Sequence, residues 1–337
     1  IKQEKRDEIV ITLFSFICKN HFYTYMKKIF LILLFINSLS STCLSQTDID
    51  AVMMEKNAFC VGPMFGYSSW KNYWEGTLKR ENLNLGTVST KVFSVMGNYG
   101  ITNKLNVLFG LPYVLTKASA GQLNGQEGVQ DLSLWIKWKA YSKKVASGRL
   151  SLFAIGGYSL PISDYTADFL PMSIGLESKN LSLRGMADYQ RGSWFGTVSG
   201  TYVIRSNIEL DRDAYYTTEM HYTNEVDMPD AASFNIRAGY RDKGLIAEAV
   251  FDHWNTLGGY DITRNNMPFP SNEMDMSRIG FNFKYDMPFH PPLSLTGNVM
   301  TTISGRNVGQ ATGFNVGIFY VIDFTRKKKT GSDDSKK

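Results

Sequence analysis

The segment 313–324 alternates apolar residues with small or polar ones along its whole length, and this period of two limits the folds open to the chain. The apolar face consists of Phe314, Val316, Ile318, Tyr320, Ile322 and Phe324, and the opposite face carries Gly313, Asn315, Gly317 and Asp323. A strand with one apolar face and one polar face, ending on an aromatic residue, is typical of the wall of a transmembrane β-barrel. Lipid contacts one side of such a wall and a polar lumen the other.

The same alternation recurs along the chain and predicts an all-β fold, a transmembrane antiparallel up-and-down β-barrel. The predicted strands are 57–70, 84–99, 104–116, 129–141, 148–161, 173–190, 193–207, 231–241, 244–256, 274–286, 293–303 and 312–324. Short and long connections alternate between them, which places both termini at the same end of a 12-stranded barrel. The count becomes 14 if Ser178, Lys179 and Asn180 form a turn inside 173–190.

Composition supports this class of protein and excludes two others. Aromatic residues make up 13% of the chain, and 29 glycines exceed 10 prolines, which favours strands and turns. A mean hydropathy of −0.19 excludes a helical multi-span membrane protein. Omitting residues 1–45, which hold six basic and three acidic residues, lowers the net charge from +5 to +2, so charge gives no argument for nucleic-acid binding.

The N-terminal region carries a predicted signal peptide at 26–45, with two lysines, a short apolar stretch and small residues before Gln46. An alternative makes Cys43 a lipid-anchored cysteine. Residues 1–25 are interpreted as upstream sequence from a gene start placed too early, 46–56 as a short periplasmic segment, 57–324 as the barrel and 325–337 as a basic polar tail. Cys60 is the only cysteine after the leader, so no intrachain disulfide is expected.

Strand parity turns a set of charged residues and one tryptophan into the predicted lumen, because charges that face lipid cost a few kcal/mol each. The lumen candidates for solute passage are Trp135, Lys137, Lys139, Arg184, Asp188, Arg237, Glu248, Asp252, Arg278 and Lys284. Their charges could form a crosslinked network that closes a narrow barrel, or an eyelet that selects passing solutes. Trp135 could stack on an aromatic solute or fill space.

Catalytic and metal chemistry is not predicted. His221, His253 and His290 are far apart in sequence, no Gly-x-Ser-x-Gly motif is present, and we assign no catalytic residue, cofactor or metal. Glu219 and His221 permit a weak divalent site in loop 208–230, although a solvated loop is favoured. Residues 46–56 are too short for a folded plug, so a gate is expected from loops or lumen side chains. Gly156, Gly157 and the segment 196–200 are predicted soft points of the wall.

Two stretches resemble a known family. Residues 99–105 (YGITNKL) followed by 110–113 (GLPY), and 129–134 (VQDLSL) leading into 137–139 (KWK), are similar to motifs of an outer-membrane transporter-like family named after the meta-cleavage pathway of phenol degradation. The likeness in motif covers about 99–161. It implies a 12-stranded barrel and passage of small, often hydrophobic molecules, and it leaves the solute open.

The function predicted from these observations is passive transport of a small hydrophobic or aromatic solute across the outer membrane of a Gram-negative bacterium. An alternative is a non-transporting structural or surface-binding barrel that acts through loops 208–230 and 257–273, and a third is an outer-membrane lipid hydrolase. The expected partners are the outer-membrane bilayer, the solute and the barrel assembly machinery, contacted through the C-terminal strand that ends at Phe324.

Overall fold

The chain forms a closed antiparallel barrel of 12 strands. The computed structural model describes residues 47–262, 268–290 and 292–325. Each long strand pairs with the next in sequence, and the last pairs with the first. The strands are β1 (Ala58–Trp70), β2 (Val88–Thr102), β3 (Leu105–Ala118), β4 (Leu132–Val145), β5 (Gly148–Leu160), β6 (Asn180–Arg191), β7 (Trp194–Arg205), β8 (Ala231–Asp242), β9 (Leu245–Thr256), β10 (Asp275–Asp286), β11 (Leu293–Arg306) and β12 (Thr312–Asp323). The predicted fold class is therefore confirmed.

The alternation in sequence becomes an apolar outer wall and a packed interior, because successive side chains of a strand point to opposite faces. In β12, Val316 and Ile318 are exposed on the outer face, whereas Phe319 and Val321 are buried inside. In β4, Ile136 is exposed and the adjacent Lys137 is fully buried. The exposed residues of this wall are thus the apolar ones and the buried residues include the charged ones, the reverse of a water-soluble protein.

The two ends of the barrel differ. We call the end that holds the short turns and the first and last strand termini the turn end, and the opposite end the loop end. The two-residue turns after β6 and β8 use Gly192 and Lys243–Gly244 with positive φ, as tight hairpins require. No helix among the described residues is long and apolar enough to cross a membrane.

The loop end carries short strands of its own. Asn72–Glu75 pairs with Leu78–Glu81. In the connection between β7 and β8, Ile208–Glu209 pairs with Glu225–Val226, and Tyr215–Tyr216 pairs with Met220–His221. The short strands of the connection between β7 and β8 pack around an apolar cluster of buried residues at the loop end, formed by Ala167, Ile208, Leu210, Tyr215, Val226, Met228 and Phe269. The long connections therefore form an ordered structure over the described residues.

Several details differ from the sequence-based expectation. The strand predicted at 173–190 begins only at Asn180, and Ser178 Oγ donates a hydrogen bond to the Ser206 carbonyl at 2.6 Å. The count of 14 strands is therefore wrong. The connection 307–311 is as short as a turn-end connection, so the strict alternation of short and long connections fails there.

The predicted soft points of the wall are also wrong. Strand β5 pairs with both neighbours without interruption through Gly156 and Gly157, and β7 does so through 196–200. The register of strand pairing shifts at Gly100, Lys139 and Ser277 instead. The signal peptide, Cys43, residues 1–25 and most of the polar tail lie outside the described residues.

Candidate functional site

The lumen contains a segment of chain that precedes the first strand. Ala51, Val52, Met53 and Met54 are buried. At the segment's end, the Asn57 amide donates to the Gly100 carbonyl at 2.7 Å, close to the turn end. Residues 47–54 therefore run inward from the start of β1 and occupy part of the lumen.

Lys137 of β4 binds this segment most extensively. Its Nζ donates to the carbonyl oxygens of Thr47 at 3.0 Å and Val52 at 2.8 Å, and to Asp50 Oδ1 at 2.9 Å. Asp50 Oδ1 also accepts the Val52 amide at 2.9 Å, which folds the segment into a compact turn. The Lys137 side chain is 0% exposed, so all three donors of its ammonium group are used inside the protein.

Further contacts hold the segment on the same side of the barrel. Arg184 Nη1 of β6 is 2.7 Å from Asp48 Oδ2, and its Nε donates to Thr201 Oγ1 at 2.7 Å. Ala51 and Met53 pack with inward residues of the wall in an apolar cluster that also includes Phe153, Ile155 and Met186. Trp135 packs against this cluster. In the described structure Trp135 therefore fills space beside the segment.

These contacts correct one expectation. The sequence predicts that residues 46–56 are a short periplasmic segment, too short for a folded plug, whereas the structure places residues 47–54 inside the lumen. The segment needs no fold of its own, because the barrel wall supplies its hydrogen-bond partners and its apolar contacts. Asp48 and Asp50 are thus site residues that sequence reasoning missed. The signal that could have found them is the local excess of inward positive charge on β4 and β6, where Lys137, Lys139 and Arg184 outnumber Asp188.

The opposite wall is crosslinked by its own charges. Arg237 Nη1 of β8 is 2.6 Å from Glu248 Oε1 of β9, and Asn282 Nδ2 of β10 donates to the same oxygen at 2.8 Å. Toward the loop end, Arg278 Nη2 is 2.5 Å from Asp252 Oδ2. Asn235 links the two groups: its Oδ1 accepts Arg237 Nε at 2.9 Å, and its Nδ2 donates to Asp252 Oδ1 at 3.1 Å. A continuous polar network therefore spans three strands.

The remaining lumen candidates lie nearer the turn end. Asp188 accepts Thr197 Oγ1 at 2.6 Å, and the Arg241 guanidinium lies 3.4 Å from it and 3.9 Å from the Phe195 ring centroid. The other two lysines are also engaged: Lys139 Nζ lies 5.9 Å from the Phe153 ring centroid, and Lys284 Nζ is 2.7 Å from Asp286 Oδ1. All ten predicted lumen residues thus lie on the inner face, most of them engaged in contacts within the wall or with residues 47–54.

A cavity of about 130 Å³ remains between residues 47–54 and the crosslinked wall. One side is apolar, with Met64, Met96 and Phe319, and the other side carries the network that includes Arg237 and Glu248. A second cavity of about 240 Å³ lies toward the loop end, beside Arg278. A liquid water molecule takes up roughly 30 Å³, so the first cavity holds a few waters or one small solute.

Two of the long connections, 208–230 and 257–273, contact each other at the loop end of the barrel. Tyr215 stacks on Phe269 at 5.2 Å and on His221 at 4.8 Å, and His221 Nε2 hydrogen-bonds Thr217 Oγ1 at 2.8 Å. His221 is thus engaged in packing between loops 208–230 and 257–273. Tyr222, in the same hairpin region, is 87% exposed.

Asp261 and Asp131 are two of the loop-end carboxylates whose pKa values are shifted. The Arg306 hydrogen bond, followed by that of Asn307, holds the pKa of Asp261 below its ordinary value. Burial raises the pKa of Asp131, although a 2.7 Å hydrogen bond from Tyr165 Oη opposes the shift. Both groups fasten long connections to the barrel rim rather than facing the lumen segment.

His253 lies on the outer face near the loop end. Its Nδ1 is 3.0 Å from Ser277 Oγ and 3.7 Å from Asp275 Oδ1. A charge-relay triad needs serine and carboxylate on different ring nitrogens, whereas here both face the same one. The geometry therefore gives no catalytic assignment for His253.

Fold and lumen together define a class of protein. A closed barrel with exposed apolar residues on its outer face satisfies its backbone hydrogen bonds internally and is suited to a bilayer. Its charges are directed inward, around a lumen partly filled by its own chain. This is the architecture of an outer-membrane β-barrel.

Comparisons with known proteins find solved structures that are similar to this chain. An outer membrane channel from Pseudomonas putida F1 has 15% sequence identity and a TM-score of 0.65, over 83% of this chain and 100% of that chain. The translocator domain of autotransporter NalP from Neisseria meningitidis has 11% identity and a TM-score of 0.44, over 80% and 90%. The CymD monoaromatic hydrocarbon channel has 11% identity and a TM-score of 0.39, over 82% and 90%.

The first of these similarities supports the fold, and the other two are too weak to assign anything to this chain. No family model matches the sequence, and no curated protein matches it. The protein is an outer-membrane barrel by architecture, and its solute and family are matters of proposal.

Proposed function

We propose that this barrel is a channel for the passive passage of a small hydrophobic or aromatic solute, and that residues 47–54 narrow its lumen at rest. The observation that carries the proposal is the fully buried Lys137, which binds three groups of this segment. A barrel that served only as a surface scaffold would gain nothing specific from such an inserted segment. A channel gains a constriction that can be displaced.

The sequence resemblance of 99–161 supports membership of the transporter-like family named after phenol meta-cleavage, and that family implies small, often hydrophobic solutes. The amphipathic cavity beside residues 47–54 is consistent with such a solute, because an aromatic compound with one polar group matches its apolar and charged sides. Passage beyond this cavity would require residues 47–54 to move, since they pack against Phe153, Ile155 and Met186.

The test is solute flux into liposomes that contain the reconstituted protein. Phenol-sized aromatics are compared with sugars of similar size, for the native sequence and for Asp48→Asn/Asp50→Asn. We expect the substitutions to raise aromatic flux several-fold, because they remove the carboxylates that bind Arg184 and Lys137.

The matched control is Asp211→Asn/Asp213→Asn, which removes two exposed carboxylates from loop 208–230. We expect it to leave flux unchanged. Equal flux of aromatics and sugars would contradict the solute class. No flux from any variant, with the barrel verified as folded, would contradict transport and favour the surface-binding alternative through loops 208–230 and 257–273.

A further inference from the structure

Two lysines point outward from the lipid-facing wall near the loop end. Lys91 of β2 and Lys117 of β3 are exposed, and strand parity places both on the same face as the apolar residues Phe93 and Tyr113. In the antiparallel register Lys91 lies opposite Leu115, and Lys117 lies opposite Ser89. The two lysines are therefore diagonal neighbours, close enough for one ligand group to contact both.

Their height on the wall matches the edge of the apolar band. Tyr99, an outward aromatic residue at the turn end of β2, follows Lys91 by eight positions, which corresponds to roughly 27 Å along the strand. With the usual tilt of about 40°, this is roughly 20 Å along the barrel axis, close to the height of about 25 Å of an apolar band. Lys91 also pairs directly with Tyr67 on β1. The lysines thus lie at the loop-end edge of the apolar band, beside an aromatic residue and close to the level of lipid headgroups.

The side chains around them form a groove. A cavity of about 220 Å³ opens to the surface between β2, β3 and the chain at 125–127, with Ser89, Lys91, Leu115, Lys117 and Glu127 among its lining residues. Glu127 pairs with Leu115 and is the only acidic residue in this lining. None of the ion pairs among the described residues includes Lys91 or Lys117.

We propose that this groove binds the phosphate of a phosphorylated lipid in the outer leaflet, with Lys91 and Lys117 as the cationic ligands. Two ammonium groups without an ion-pair partner, held at headgroup height, complement a phosphate. Leu115 between them, Tyr67 beside Lys91 and Tyr113 below offer apolar surface to the acyl chains of the same molecule. A free anion would use the lysines but would gain nothing from these apolar residues.

The inference rests on the outer-membrane location with the loop end outward, and it is independent of transport. The full-length protein in detergent is titrated with diphosphoryl lipid A, and bound lipid is measured by native mass spectrometry. We expect Lys91→Gln/Lys117→Gln to weaken binding roughly tenfold or more, because each lysine contributes to attraction by an anionic lipid surface. Glu127→Gln should strengthen binding, because it removes the one negative charge of the groove.

The matched control is Lys143→Gln/Lys144→Gln, which removes two exposed lysines at the turn end of β4 and should leave binding unchanged. Heat-modifiable gel migration verifies that each variant is a folded barrel. Equal lipid A binding by the native protein and Lys91→Gln/Lys117→Gln would overturn the proposal. Unchanged affinity for fully dephosphorylated lipid A would overturn the role of phosphate. Displacement of lipid A by inorganic phosphate at the same concentration would overturn the choice of a lipid as occupant.

Discussion

Lys137 shows what a single residue contributes in this lumen. Its position at an inward site of β4 follows from strand parity, and its full burial follows from the inserted segment. A buried ammonium group is costly unless charge and hydrogen bonds compensate it, and here Asp50 and two carbonyl oxygens do so. The residue that looks like a solute ligand in sequence is thus a ligand of the protein's own chain.

Replacing Lys137 by methionine should destabilise the barrel and release residues 47–54. The substitution leaves the Asp50 carboxylate without its buried counter-charge, and breaking such a pair costs about 3–5 kcal/mol. Urea unfolding followed by tryptophan fluorescence measures the loss of stability, and protease cleavage near residue 50 measures the release of the segment.

The control is Lys143→Met on the same strand, where the side chain is exposed and the effect should be negligible. The double variant Lys137→Met/Asp50→Asn should recover part of the lost stability, because no unpaired buried charge remains. Equal losses for Lys137→Met and Lys143→Met would contradict the role assigned to Lys137.

At the scale of strands, the seam between β1 and β12 closes the barrel and contains an irregular point. Val61 pairs with Tyr320 and Met64 with Gly317, while Gly62 and Pro63 take no part in the β12 register. Proline has no amide proton to donate to the ladder. A Cβ on Gly62 would lie 2.0 Å from the Ile318 carbonyl oxygen, so β12 approaches β1 more closely there than any side chain allows.

Gly62→Ala should therefore weaken barrel closure by about 1–3 kcal/mol, the usual range for forced overpacking. The readout is the temperature at which the folded, fast-migrating gel band converts to the unfolded band. Gly185→Ala on β6 is the matched control, because nothing lies within 4 Å of a Cβ added there. A change within about 1 kcal/mol is expected for the control, and a similar downward shift for both variants would refute the strain at the seam.

The whole molecule combines an apolar exterior with a lumen crosslinked by charge. Its last strand must reach β1 to close the ring, and the chain is fixed there when the Phe324 amide donates to the Asn57 carbonyl at 2.9 Å. The Phe324 side chain itself is 57% exposed. It is therefore available at the turn end, where we expect the assembly machinery to recognise the terminal aromatic residue.

Phe324→Ala should lower the amount of folded protein in the outer membrane several-fold, with little change in the stability of barrels that do fold. Phe289→Ala is the control, because Phe289 is an equally large aromatic residue in a turn-end connection and is 80% exposed. Quantitative blotting of outer-membrane fractions separates the two variants. Equal yields for both would remove the terminal aromatic from the assembly signal.

The sequence by itself determined the barrel, its 12 strands and the inward direction of the lumen charges. These properties follow from a period of two, since each strand must turn one face to lipid and one to the lumen whatever its neighbours are. Strand ends were less well determined. The sequence predicts a strand over 173–190, but residues 173–179 belong to the loop-end structure, where Ser178 Oγ donates a hydrogen bond to the Ser206 carbonyl.

Only the tertiary structure decided what fills the lumen. The contact of Asp50 with Lys137 joins residues 87 positions apart, and that of Asp48 with Arg184 joins residues 136 apart. Such pairs follow no periodic pattern in the sequence. They form because barrel closure places the positive side chains of β4 and β6 inside the lumen, beside the acidic segment 47–54. Closure also decided the strained approach at Gly62, because it depends on how closely the last strand comes to the first.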